Sequence, residues 1–141
     1  MAQKIQRIGR ECLGFRVRML NRMISAIYDD ALAGAGLKAS QFNLLVVAVN
    51  SEQSRPADLA KALEMDESTV SRNVERMCAK GWLRLEADDD RRSHLIKATD
   101  KGLKLIRSSY PAWQKAQADV SRRLGSDNVA ALKSMLRALR A

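Results

Sequence analysis

The residues able to act on a partner cluster between positions 66 and 93. With Val70 at zero on a helical wheel turning about 100° per residue, Val74, Met77 and Cys78 fall within about 80° of it. Ser68, Arg72 and Arg76 fall on the opposite side, flanked by Thr69 and Glu75. A helix docked in the major groove of DNA needs small hydroxyls that permit close approach. It also needs guanidinium groups that reach guanine O6 and N7 or phosphates. Ser68, Thr69, Ser71, Arg72, Asn73 and Arg76 are therefore the candidate contacts from this segment. Arg91 and Arg92 lie in a charged loop further on, from which an arginine can enter the minor groove, where the potential is most negative. Asp88, Asp89 and Asp90 beside them oppose that role by repelling phosphate, and Asp90 is the one placed to hold an arginine in a bidentate pair.

Other chemistries are poorly supplied. Two cysteines, Cys12 and Cys78, and one histidine, His94, cannot furnish a zinc cluster, and two cysteines do not make a disulfide scaffold. Ser68, Thr69 and Ser71 have no histidine near them in sequence, and Glu64, Asp66 and Glu67 are explained by helix starts. No glycine-rich phosphate-binding motif occurs. The expectation is a non-enzyme without metal or cofactor. Arg10 and Arg16 near Cys12 could favour its thiolate, which leaves redox sensing through Cys12 as an alternative. Cys12 lies on an apolar stripe, however, where a small buried hydrophobe is the usual occupant.

Any surface helix is polar opposite its core face, so the reading depends on the elements that position this one. From Ile5, the residues Ile8, Cys12, Phe15, Met19, Met23 and Ile27 recur at helical spacing, and Leu13, Val17, Leu20, Ile24 and Tyr28 form an adjacent stripe. One long helix with so much apolar surface predicts a partner chain. Gly34 and Gly36 stop it, and Ser40 is placed to cap a short helix through Val49. Pro56 favours the first turn of the next helix, Asp66 caps a third, and Gly81 ends that one.

Trp82 to Glu86 and His94 to Ala98 then read as two strands of a β-hairpin. Thr99 caps a long helix from Asp100, in which Pro111 predicts a kink near Ser108 or two helices in tandem. Gly125 to Asn128 break the chain before a final amphipathic helix. The fold class expected is mainly α with a small β-hairpin wing: a winged helix-turn-helix at 38–99, flanked by dimerisation helices at 1–36 and 100–141, within one domain.

Charge and length bound this reading. At 141 residues the chain has the size of one ordinary domain, and its formal charge of +9 suits a polyanionic partner. The charge is unevenly placed: Met1 to Ser51 carries 7 basic and 3 acidic residues, Glu52 to Thr99 carries 9 and 10, and Asp100 to Ala141 carries 9 and 3. Individual arginines must therefore carry the DNA argument. No apolar run is long enough for a bilayer and the opening MAQKIQRIGRECLG lacks a secretory pattern, so a soluble cytoplasmic protein is expected.

The stretch STVSRNVERMCAKGWLRLEADDDRRSHLIKATDKG resembles the core signature of the MarR family (multiple antibiotic resistance regulators). The match covers the recognition helix T-V-S-R-x-V-x-R-M, the K-G-W-L opening the first wing strand, the wing motif Asp90-Arg91-Arg92, and Thr99. A looser likeness covers the rest of the chain. The resemblance implies a homodimer, joined through the terminal helices, that binds double-stranded DNA at a pseudo-palindromic operator as a repressor. It also implies that Arg92 enters the minor groove with Asp90 supporting it, and that Arg91 meets a phosphate. A crevice for a small aromatic or phenolic effector is implied too, for which Arg16, Met23, Tyr28 and Trp113 are candidates. The rival reading is a winged-helix module that binds another protein and has no DNA target.

Overall fold

Pro56 and Gly81 bracket the part of the chain where short helices give way to a hairpin, and both sit where their backbone chemistry is required. The computed structural model describes residues 1–51, 54–89 and 92–141. Its elements are α1 (Ala2–Glu11), α2 (Leu13–Leu32), a 3₁₀ turn (Ala33–Ala35), α3 (Ala39–Asn50), α4 (Pro56–Leu63) and α5 (Glu67–Ala79). They continue with β1 (Leu83–Ala87), β2 (His94–Ala98), α6 (Asp100–Leu124) and α7 (Ser126–Arg140). Two units result, one of Leu32–Ala112 and one of Met1–Ala31 with Trp113–Ala141. The mainly helical architecture with one two-stranded hairpin is the one expected from the sequence.

In the first unit, α4 starts at Pro56, whose missing N–H is harmless there, and the Asp58 carboxylate accepts the backbone N–H of Arg55, the N-cap residue (3.3 Å). It ends at Glu64 in the left-handed region (φ 52°), which turns the chain into α5. Leu44, Leu45, Leu59, Val70, Met77, Leu83 and Ile96 are buried together as the core. The hairpin is antiparallel, with Leu83 opposite Ala98 and Ala87 opposite His94. A third segment pairs with it: the Ile96 N–H donates to the Ser54 carbonyl (2.7 Å), and the fully buried Ser54 hydroxyl meets the carbonyls of Ala48 (3.1 Å) and Ser51 (3.2 Å). Satisfying these groups is what permits so polar a residue at this depth.

Thr99 joins three elements. Its hydroxyl lies 2.5 Å from the Gly81 carbonyl and 3.2 Å from that of Trp82, and accepts the N–H of Gly102 (3.0 Å). The Thr99 N–H also donates to the Trp82 carbonyl (3.1 Å). The start of α6 consequently lies so close to Trp82 that a Cβ on Gly102 would stand 2.2 Å from the Trp82 carbonyl oxygen. Only glycine fits there.

Three local expectations are corrected. The first helix is broken at Cys12, which has extended backbone (φ −64°, ψ 110°), so α1 and α2 replace one continuous element. Ser40 is not the cap of α3: the helix starts two residues earlier than such a cap requires, at Ala39 with Lys38 as N-cap, whose N–H bonds to the Gln41 side chain (3.0 Å), and a residue able to reach back from the third position has outcompeted a capping serine. Pro111 lies inside one continuous α6, which sets aside two helices in tandem, one of the two arrangements expected there. In the Met1–Ala31 and Trp113–Ala141 unit, only Ala116 and Val120 are buried apolar residues, whereas Leu13, Phe15, Val17, Met23, Met135, Leu136 and Leu139 stand exposed. Among the described residues, no single helix is long and apolar enough to cross a membrane.

Gly102→Ala is expected to lower stability by about 2 kcal/mol because α6 must move off Trp82. Thr99→Ala is expected to cost about 1 kcal/mol through loss of the cap. Urea denaturation of both variants and wild type at one protein concentration measures this. A Gly102→Ala midpoint equal to wild type would refute the close approach.

Candidate nucleic-acid interface

The two faces of α5 are separated as the helical wheel requires. Val70, Val74 and Met77 are buried against the core, while Ser68, Ser71, Arg72 and Arg76 are exposed and Thr69 and Asn73 are half-buried. Burial of three apolar side chains on one face fixes the rotation of the helix about its axis. Asp66 takes the extended N-cap conformation but makes no side-chain cap bond, so its contribution is the favourable charge at the helix start, with Glu67 in the first turn. The Arg72 guanidinium donates to the Thr69 hydroxyl (3.3 Å), which holds it along the exposed stripe.

The wing departs from the sequence expectation in its acids. Asp88 does not face outward: its side chain is only 8% exposed and lies 2.6 Å from the Arg55 guanidinium, which is itself 40% exposed. The carboxylate expected to repel phosphate is thus neutralised within the fold. Arg55 was missed in the sequence because a residue just before Pro56 reads as a helix start and nothing more. Asp89 and Arg92 are exposed at the end of the hairpin, whereas Asp90 and Arg91 lie outside the described residues.

Between α4, α5 and the hairpin lies a cleft of about 340 Å³ whose walls include Arg55, Ser71, Cys78, Leu85, Arg92 and His94. It brings the α5 hydroxyl of Ser71 and the wing residue Arg92 to one place. His94 is exposed, consistent with a surface side chain. Cys78 is half-buried, and burial pushes its thiol pKa up from the ordinary value, which disfavours the reactive thiolate. Cys12 is half-buried at the α1–α2 break. No group of three or more His, Cys, Asp or Glu side chains that could hold a metal occurs among the described residues. Of the effector candidates, Arg16 and Met23 are exposed on α2, while Tyr28 and Trp113 are half-buried. The Tyr28 hydroxyl donates to the Gln117 side chain, and burial raises its pKa.

A helix-turn-helix followed by a hairpin, with a basic polar stripe on its second helix, defines the winged helix-turn-helix class. A family model described as the MarR family matches residues 35–93. The multiple antibiotic resistance protein MarR of Escherichia coli (strain K12) is 27% identical over 127 residues, which cover 89% of this chain and 88% of that protein. The structure of the transcriptional regulator MosR of M. tuberculosis in complex with DNA is 30% identical. It superposes with a TM-score of 0.78 over 93% of this chain and 100% of that one. A mutant MarR from E. coli complexed with operator DNA shares the fold, with a TM-score of 0.83 at 24% identity over 94% of this chain and 96% of that one. The chain belongs to the MarR family of transcription regulators.

Because burial disfavours the Cys78 thiolate, its alkylation by iodoacetamide at pH 7 is expected to be slower than that of free cysteine and to accelerate as pH rises past the ordinary thiol range. Mass spectrometry of the peptide carrying Cys78 follows this. Modification at pH 7 as fast as a free thiol would contradict the burial argument.

Proposed function

We propose that this chain is a homodimeric, sequence-specific binder of double-stranded DNA, acting as a repressor that responds to a small aromatic or phenolic effector. The observation that carries the reading is the exposed stripe of α5, opposite the buried Val70, Val74 and Met77 and sharing a cleft with Arg92 of the wing. In this reading Arg72 and Arg76 reach base edges or phosphates in the major groove, with Ser68, Thr69, Ser71 and Asn73 close enough to add hydrogen bonds. Arg92 reaches the adjacent minor groove, Asp90 supports it, and Arg91 meets a phosphate.

The homodimer is supported by the exposed apolar residues of α1, α2 and α7, among them Ile8 (65% exposed), Leu13 (76%), Met135 (60%) and Leu139 (90%). Such a surface is far more apolar than a monomeric unit keeps in water, and a second copy offers a self-complementary cover. Two copies present two reading helices, which fits a pseudo-palindromic site.

Selection of bound sequences from a random duplex library is expected to return two related half-sites whose centres lie about 10 base pairs, or a multiple, apart. Arg72→Ala is expected to weaken binding to the selected duplex by about 1–3 kcal/mol and to relax preference at one position of each half-site. Arg92→Ala is expected to lower affinity and reduce the steepness with which binding falls as salt rises. Unchanged affinity in both variants would refute the reading face, and a single unpaired half-site would refute the dimer. The effector is checked separately. A thermal-shift screen of aromatic carboxylic acids and phenols is expected to include compounds that raise the melting temperature and release bound DNA, and no hit in either assay would remove effector control by that class.

A further inference from the structure

We propose that the Arg55–Asp88 ion pair is a strut that sets the angle of the wing against α5, which makes both residues positioning residues for duplex binding. The inference rests on the DNA reading of α5 and the wing. Arg55 and Asp88 are 33 positions apart in sequence, yet their charged groups meet at 2.6 Å. Asp88 is nine-tenths buried in its side chain, and a carboxylate at that depth requires a cationic or hydrogen-bonding partner. Asp88 is also the first residue beyond β1, so whatever holds it holds the root of the wing tip.

The other end of the strut is fixed. Arg55 is the N-cap of α4, its N–H is bonded to the Asp58 carboxylate, and Pro56 follows it. The neighbouring Ser54 carbonyl accepts the N–H of Ile96 on β2. The hairpin is thereby tied to the 54–55 segment twice, through the backbone of β2 and through the side chain at the end of β1. Thr99 and the buried Leu83 and Ile96 hold the base and middle of the hairpin, and the tie through Asp88 acts at its far end, where it limits the swing of the tip. Arg92 and Ser71 share the cleft that Arg55 also lines, so a wing that swings changes the separation between Arg92 and the reading stripe. The pair also keeps the Asp88 charge turned inward, away from an approaching phosphate.

Two roles for Arg55 predict opposite results. A phosphate contact acts through its own charge, whereas a strut acts only while Asp88 is present. The test uses the full chain and a duplex it selects from a random library, with wild type, Arg55→Met, Asp88→Ala, the double variant, and the reversal Arg55→Asp with Asp88→Arg. Thermal unfolding establishes that each variant is folded at the assay temperature, and affinity is measured across a salt series. Both single variants are expected to weaken binding about tenfold, with the double variant no weaker than the worse single. Arg55→Met is expected to leave the salt slope at its wild-type value, because the charge it removes is already paired. Amide hydrogen exchange in the β1 and β2 strands is expected to accelerate in both singles.

The strut is overturned if Arg55→Met flattens the salt slope while Asp88→Ala tightens binding, since that is the behaviour of a phosphate contact beside a repelling acid. Additive losses in the double variant overturn it equally. Should a single variant fail to fold, the reversal variant decides: binding stronger than that of the other single supports the pair, and equal or weaker binding overturns it. Wild type without salt-dependent duplex binding would instead overturn the DNA reading itself, and the strut's part in binding with it.

Discussion

The approach of α6 to the Trp82 carbonyl is the constraint on which the proposed reading head depends. A recognition helix is useful only if its rotation and its exit are both fixed. The rotation of α5 is fixed by Val70, Val74 and Met77, but its exit is fixed by hydrogen bonds from Thr99 to the carbonyls of Gly81 and Trp82. Those carbonyls follow the end of α5, where no further helical turn supplies donors. One threonine answers that demand, caps α6 through the Gly102 N–H, and anchors the first residues of the hairpin. The lack of a side chain at Gly102 makes the geometry attainable, because any Cβ would meet the Trp82 oxygen at 2.2 Å. Lys101 adds a bond to the Lys80 carbonyl (2.9 Å), and Lys80 lies 4.6 Å from the Trp82 ring centroid, so the same corner is closed on its solvent side as well.

Much of this was legible from residue order. The opposed faces of α5, the hairpin, the Thr99 cap and Pro56 at a helix start are local features, set by periods of two or 3.6 residues or by one residue's backbone chemistry. Features that escaped are of two kinds. The first is local competition: Ser40 is a good cap, but Gln41 reaching back to Lys38 is an equally local solution, and residue type alone does not choose between them. The helix break at Cys12 likewise leaves both apolar stripes in place, so helical periodicity passes over it.

The second kind is long-range. The pairing of Arg55 with Asp88 depends on how α4 and the hairpin pack, and three consecutive aspartates in sequence give no sign of which one turns inward. By residue type alone, Asp88 is a liability for binding phosphate. Its burial against Arg55 changes the account, because a paired and buried charge contributes far less to the outer field than an exposed one. Ser54 belongs with it: as a lone serine it signals nothing, yet its buried carbonyl and hydroxyl link the β2 strand to the end of α3.

The 48-residue segment that carries the proposed reading face is nearly neutral, and the excess of lysine and arginine lies in Met1 to Ser51 and Asp100 to Ala141. On the proposed reading, these two charge populations do different work. The distributed excess raises the rate of encounter with any duplex and is weakened by salt at ranges beyond about 8–10 Å. Discrimination between sequences must come from the few groups that touch bases, and there a neutral background is an advantage. A strongly basic reading head would hold every phosphate backbone tightly, and the energy separating right from wrong sequences would be a smaller part of the total. The inward turn of Asp88 and the restraint of Arg72 by Thr69 are consistent with a head whose charges are held in place rather than simply numerous.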